Sequence, residues 1–158
     1  LKIAISKLSI PGYLEKSQLS IHCSPNQIHL EENHQWAETL KDNMLGVLQT
    51  NLSTLLPGSQ VDKEPLHIKF QPNYTVQINI SQFKYDVYGN SKLRAEYVIY
   101  HDKDSVKKQS VCYHAKSKTV SPKAMVVSLN GHLSTLSKEI ASFFRANDKT
   151  VYQQNDRK

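Results

Sequence analysis

Between Asn33 and Pro57 the apolar residues Trp36, Leu40, Met44, Val47, Leu48, Leu52 and Leu55 recur at steps of three and four. That period places them on one stripe of an α-helix. Asn33 is placed to cap its start, Glu38 and Asp42 sit near its positive end, and Pro57-Gly58 stops it. Such a helix is roughly 33 Å long, enough to cross a small domain, and its one apolar face must be covered. A second helix is predicted from Ser121, an N-cap, and Pro122, the first helical residue, to about 145–147. Met125, Leu129, Leu133, Leu136, Ile140 and Phe143 form its buried stripe.

What covers these helices is read from residues that alternate in polarity. Lys2 to Ile10 alternates through Ile3, Ile5, Leu8 and Ile10, with a slip near Lys7 that suggests a bulge. Gln18–Cys23 and Gln27–Glu31, joined by Ser24-Pro25-Asn26, read as a hairpin. Val61 to Leu66 reads as a connection. A long strand is expected over His67–Phe83, in which Tyr74, Val76, Ile78 and Ile80 point one way and Thr75, Gln77, Asn79 and Ser81 the other. Leu93–Tyr100 and Val106–Lys116 complete a three-stranded meander. The expected architecture is α+β: a mostly antiparallel sheet with two long helices packed on one face. Residues 1–147 are read as one domain and 148–158 as a flexible tail.

Composition narrows the function without naming it. At 158 residues, 39% hydrophobic and 22% charged, the chain suits one globular domain. No apolar run approaches the roughly 20 residues a membrane-spanning helix needs. With neither an initiator Met nor a signal peptide, the sequence reads as a mature or trimmed chain. The net charge is +6, from 20 Lys and Arg against 14 Asp and Glu. The lysines are scattered and arginine occurs only at Arg94, Arg145 and Arg157, a pattern unlike a nucleic-acid interface.

Residues able to do chemistry are present but not assembled by any motif. Cys23 and Cys112 both fall in strands and form a candidate disulfide if those strands are neighbours. His22-Cys23 and Cys112-x-His114 are the Cys/His neighbours among 7 histidines, and adjacent strand residues face opposite ways, which disfavours a zinc site. No glycine-rich phosphate loop or nucleophile elbow occurs, so no catalytic, cofactor or metal site is assigned. Tyr85, Tyr88, Tyr97 and Tyr100 cluster on the meander and are candidate interface aromatics. Pro11, Gly12, Tyr13 and Leu14 interrupt the first strand with a rigid, aromatic-bearing segment, a candidate partner-docking loop.

Taken in order, these segments resemble a known family. They are Ile10-Pro11-x-Tyr13-Leu14, Gln18-Leu19, Asn26-x-Ile28-x-Leu30-x-Glu32, Trp36-Ala37-Glu38-x-Leu40 and Asn51-Leu52-x-x-Leu55-Leu56-Pro57. Tyr74-x-Val76-x-Ile78-x-Ile80-x-x-Phe83, Gly89-x-x-x-Leu93-x-Ala95-x-Tyr97 and Leu133-x-x-Leu136-Ser137-x-Glu139-Ile140-Ala141 follow. Their spacing resembles that of the PqiC-like ABC-type transport auxiliary lipoproteins of Gram-negative bacteria, from about Ile3 to Phe144. Gly12, Thr39, Lys84 and Tyr97 depart from the family's common residues.

The resemblance implies a non-enzymatic periplasmic domain, tethered by an N-terminal lipid anchor, typically in the outer membrane. It implies MCE-domain and inner-membrane transport components as partners, self-association, and a role in moving lipids between membranes. The alternatives are a stand-alone lipid-binding module with a cargo cavity, and an enzyme using Cys112 or a histidine.

Overall fold

A computed structural model describes residues 1–12, 19–24, 27–31 and 36–147, and side chains for 1–12 and 40–146. The elements are β1 (Lys2–Ser9), β2 (Leu19–Ser24), β3 (Gln27–Glu31), α1 (Trp36–Leu55), β4 (Gln60–Lys63), β5 (Tyr74–Tyr85), β6 (Asn90–His101), β7 (Asp104–Lys116) and α2 (Pro122–Asn147). Five strands form one sheet in the order β4-β1-β5-β6-β7, while β2 and β3 pair as a separate antiparallel hairpin. Long antiparallel ladders join β5 to β6 and β6 to β7, and β1 is inserted parallel to both β4 and β5. The architecture is α+β, with both helices on one face.

Register decides what meets what. Ile5, Val76 and Ile99 lie side by side, as do Leu8, Ile78 and Tyr97, and Phe83, Leu93 and Tyr113. Those of β1, β5 and β6 are fully or almost fully buried, with Leu40, Met44, Leu48 and Leu52 of α1 and Leu129, Leu133, Leu136 and Ile140 of α2. The alternation of β1 slips between Ile5 and Lys7, as its sequence suggested, and Leu8 thereby returns to the core face. The helices run in the same direction. Asn51 Nδ2 donates to Ser137 Oγ at 3.3 Å, and Arg145 Nη2 donates to the Leu55 carbonyl at 2.6 Å. Ser121 caps α2 by accepting from Ala124 N at 3.0 Å.

Two strand assignments need correction. Val61 to Leu66 reads as a connection, but Gln60–Lys63 is β4, docked parallel on β1 from Lys2 to Ile5. Its four residues are too few for a strand pattern to stand out. The expected strand over His67–Phe83 begins only at Tyr74 and runs on to Tyr85. A bulge between Ile80 and Gln82 switches its phase, so Phe83 and Tyr85 join the core. Asn33 and residues 148–158 lie outside the described residues.

The topology gives the sheet two distinct ends. β1, β4, β5 and β7 all run from the end that carries Leu1 and Tyr74 toward the opposite end. That opposite end carries the close of β1 at Ser9, the β5–β6 turn, the close of β7 at Lys116 and the start of α2. We call it the tip.

Candidate functional site

The tip is built on a tight turn. Asp86 accepts from Tyr88 N and Asn90 N, both at 2.9 Å, and from Asn90 Nδ2 at 3.2 Å. Desolvation pushes the Asp86 carboxyl up, but these hydrogen bonds and the attraction of Lys116 outweigh it, and its pKa lies below the ordinary value. Gly89 closes the turn with φ +83°. A Cβ there would sit 2.6 Å from the Ser117 carbonyl oxygen, so glycine is required for space as well as conformation. Ser117 N donates to the Gly89 carbonyl at 2.8 Å, which clamps the turn to the loop leading into α2. Tyr85 reinforces the clamp from inside. Its hydroxyl lies 2.9 Å from Ser117 Oγ and donates to the Thr119 carbonyl at 3.1 Å.

On the face of the sheet away from the helices, register lines up three basic side chains. Lys84 of β5 pairs with Lys92 of β6, and Lys92 with His114 of β7. Like charges directly opposite each other on neighbouring strands are unfavourable. A partly open cleft of about 390 Å³ at the tip is lined by Lys84, Lys92 and His114 together with Tyr85, Asp86, Asn90 and Ser91. Arg94 and Cys112 form the next row on the same face. Among the described residues no carboxylate lies within ion-pair distance of Lys84, Lys92 or Arg94.

Behind the cleft, between sheet and α2, sits a buried polar group. Ser91 Oγ and His132 Nε2 are 2.7 Å apart, and His132 is 3% exposed. Burial first, and repulsion from His114 second, lower the His132 pKa below its usual value. The Tyr113 ring stacks on His132, and its hydroxyl donates to Glu139 Oε2 at 2.5 Å. Burial and the Glu139 carboxylate raise the pKa of both tyrosines on this side, Tyr97 to about 12 and Tyr113 further still.

The residues singled out from sequence are only partly brought together. Pro11 and Gly12 leave β1 at the tip, with Gly12 exposed, while Tyr13 and Leu14 lie outside the described residues. Of the four grouped tyrosines, Tyr85 and Tyr97 are core residues at 2% and 1% exposure, so they cannot serve as contact aromatics. Their strand phase points them at the helices. Tyr88 is 73% exposed at the tip, and Tyr100 is half-buried on the outer face toward the other end. Cys112 carries a free, exposed thiol, 3.6 Å from His114 Nε2. The Cys23 side chain lies outside the described residues. No group of three or more metal-ligating side chains converges among the described residues. The row Lys84–Lys92–His114 was missed from sequence, since its members are 8 and 22 positions apart and only the ladders align them.

Known proteins give the fold a family. The model of the ABC-type transport auxiliary lipoprotein component matches residues 1–141. The intermembrane transport lipoprotein PqiC of Escherichia coli (strain K12) is 24% identical over 104 residues, covering 66% of this chain and 54% of PqiC. The chain thus spans about half the length of the curated relatives it matches. A crystal structure of an uncharacterized protein has a TM-score of 0.74 at 23% identity, covering 89% of this chain and 90% of that one. The PelC dodecamer from Paraburkholderia phytofirmans gives 0.51 at 11% identity, covering 86% of each. At these identities the two structures show a shared fold. The match from β1 through most of α2 shows that the chain belongs to the ABC-type transport auxiliary lipoprotein family.

Proposed function

We infer that this chain is the non-enzymatic periplasmic domain of a lipoprotein that serves an MCE/ABC-type lipid transport system of the cell envelope. The family match over residues 1–141 carries this reading, because it spans the whole sheet, all of α1 and most of α2. The name of the E. coli relative, an intermembrane transport lipoprotein, supports envelope transport as the setting. The domain hangs from an N-terminal lipid anchor, held in the outer membrane, and docks MCE-domain and inner-membrane components. Self-association is part of the proposal, as PelC, which shares the fold, is a dodecamer. The docking loop of Pro11, Gly12, Tyr13 and Leu14 follows β1, Tyr88 at the tip is a further candidate contact, and Tyr100, toward the other end of the outer face, is a separate one.

Docking is preferred to a stand-alone carrier because the family is described as an auxiliary component of a transport system, which implies partners. A thiol enzyme would need a third group to orient the histidine beside Cys112, and among the described residues His114 hydrogen-bonds only to Cys112.

The test is crosslinking and co-purification of the full-length lipidated protein from envelopes. MCE and transporter subunits are expected in the eluate, and their absence would sink the reading. Tyr13→Ala with Leu14→Ala is the narrower probe. Loss of the complex with unchanged folding supports the docking loop, and an intact complex refutes it.

A further inference from the structure

The tip combines three properties. The first is charge. Residues 84–92 and 114–123 hold Lys84, Lys92, Lys116, Lys118 and Lys123 with His114, against Asp86 as their one acid. That acid is engaged in the turn by Tyr88 and Asn90. Lys84 and Lys92 stand directly opposite each other with His114 beside them, and the row spans about 10 Å, two strand spacings. The two lysines repel each other, which an anionic ligand between them would relieve.

The second property is exposed apolar surface among these charges. Tyr88 is 73% exposed and Val120 is 42% exposed. The third is rigidity. Gly89, Ser117 and Tyr85 lock the turn to the loop before α2, so the lysines and Tyr88 project from a fixed platform.

We propose that the tip binds the phosphate headgroups of an anionic phospholipid surface, with the cleft between Lys84, Lys92 and His114 seating a headgroup. The strong bases of both segments are lysines, with Arg94 in the next row of the same face. Protein interfaces favour arginine and are depleted in lysine, because the guanidinium fork pairs with carboxylates in two-point fashion. A layer of mobile phosphates needs only clustered point charges, and tyrosine at the polar–apolar boundary is the aromatic that suits it. Leu1 lies at the other end of β1, so this contact is additional to an N-terminal anchor. Naming a phospholipid rests on the transport reading above.

The test is co-sedimentation of the acyl-free chain with vesicles of phosphatidylethanolamine containing phosphatidylglycerol, and with phosphatidylcholine vesicles. Binding is expected to the first and not the second, and to fade as salt rises from about 0.1 M to about 1 M and the screening length falls from ~10 Å to ~3 Å. Lys84→Gln with Lys92→Gln should weaken binding about fivefold per lysine removed. Lys2→Gln with Lys103→Gln, an equal charge change at the opposite end, should leave it unchanged, and circular dichroism checks that both variants fold.

No binding to phosphatidylglycerol vesicles at low salt overturns the proposal, and so does equal weakening by the two pairs. Tip-dependent binding of polyglutamate or single-stranded DNA without vesicle binding assigns the tip to another macromolecule. Amide shifts at the tip with inorganic phosphate, again without vesicle binding, assign it to a free anion. Both results refute a lipid surface. If vesicle binding fails while transport subunits still co-purify, only the tip assignment falls.

Discussion

Ser91 Oγ lies 2.7 Å from His132 Nε2 in the closed space between β6 and α2. This contact joins residues 41 positions apart and supplies a hydrogen-bond partner to a ring that is 3% exposed. Buried polar groups are tolerated when so paired, and a neutral imidazole is what this site accepts.

Stability should therefore fall on mild acidification. The His132 pKa is lowered in the fold, so below the unfolded value of about 6.5 the unfolded chain binds a proton that the native chain resists. The stabilisation is complete above that value and is lost as pH falls toward the lower native one. Thermal melts between about pH 7.5 and 5 should show a steeper decline for the wild type than for His132→Gln. Parallel declines would show that other groups dominate.

Tyr113→Phe removes the hydroxyl that donates to Glu139 while keeping the ring on His132. Glu139 is half-exposed and can recover water. The expected loss is about 1–2 kcal/mol by urea unfolding. Glu139→Gln should also let Tyr97 ionise more readily. Its pKa of about 12 is set first by burial and then by that carboxylate. Absorbance titration of tyrosinate reads the change.

Gly89→Ala should cost about 1–3 kcal/mol, because an L residue is forced to a left-handed φ and its Cβ meets the Ser117 carbonyl. Gly46→Ala is the contrast. A Cβ there meets nothing within 4 Å and the helix gains, so stability should hold or rise by up to about 1 kcal/mol. Chemical denaturation of the two variants side by side decides this.

Leu133→Ala empties a fully buried position where α2 meets the core and should cost about 2–5 kcal/mol. Val127→Ala on the exposed side of the same helix should stay within about 0.5 kcal/mol.

The exposed thiol of Cys112 should react with maleimide in the native protein without denaturant, as read by peptide mass mapping of the labelled residue. Absence of labelling, restored by reductant, would instead indicate the Cys23–Cys112 bridge.

The fold was largely legible where a pattern was long. The apolar stripes of α1 and α2 and the alternation from Tyr74 to Ile80 each repeat enough times to mark a face, and Ser121-Pro122 marks a helix start chemically. β4 escaped because four residues carry too little pattern, and its place beside β1 depends on the return of the chain from α1. The tyrosines show the same limit at single residues. Tyr85 and Tyr88 are three apart in sequence, yet the turn at Asp86–Gly89 exposes one and the bulge before Gln82 buries the other.

By itself the sequence determined the two helices and the meander, because these rest on local periodicity and spacing. Tertiary structure alone decided the tip. Lys84, Lys92 and His114 belong to three strands, and only the antiparallel ladders set them side by side. A ladder slip of one residue would turn them to the opposite face, so their alignment is a property of register, which the burial of the opposite face enforces.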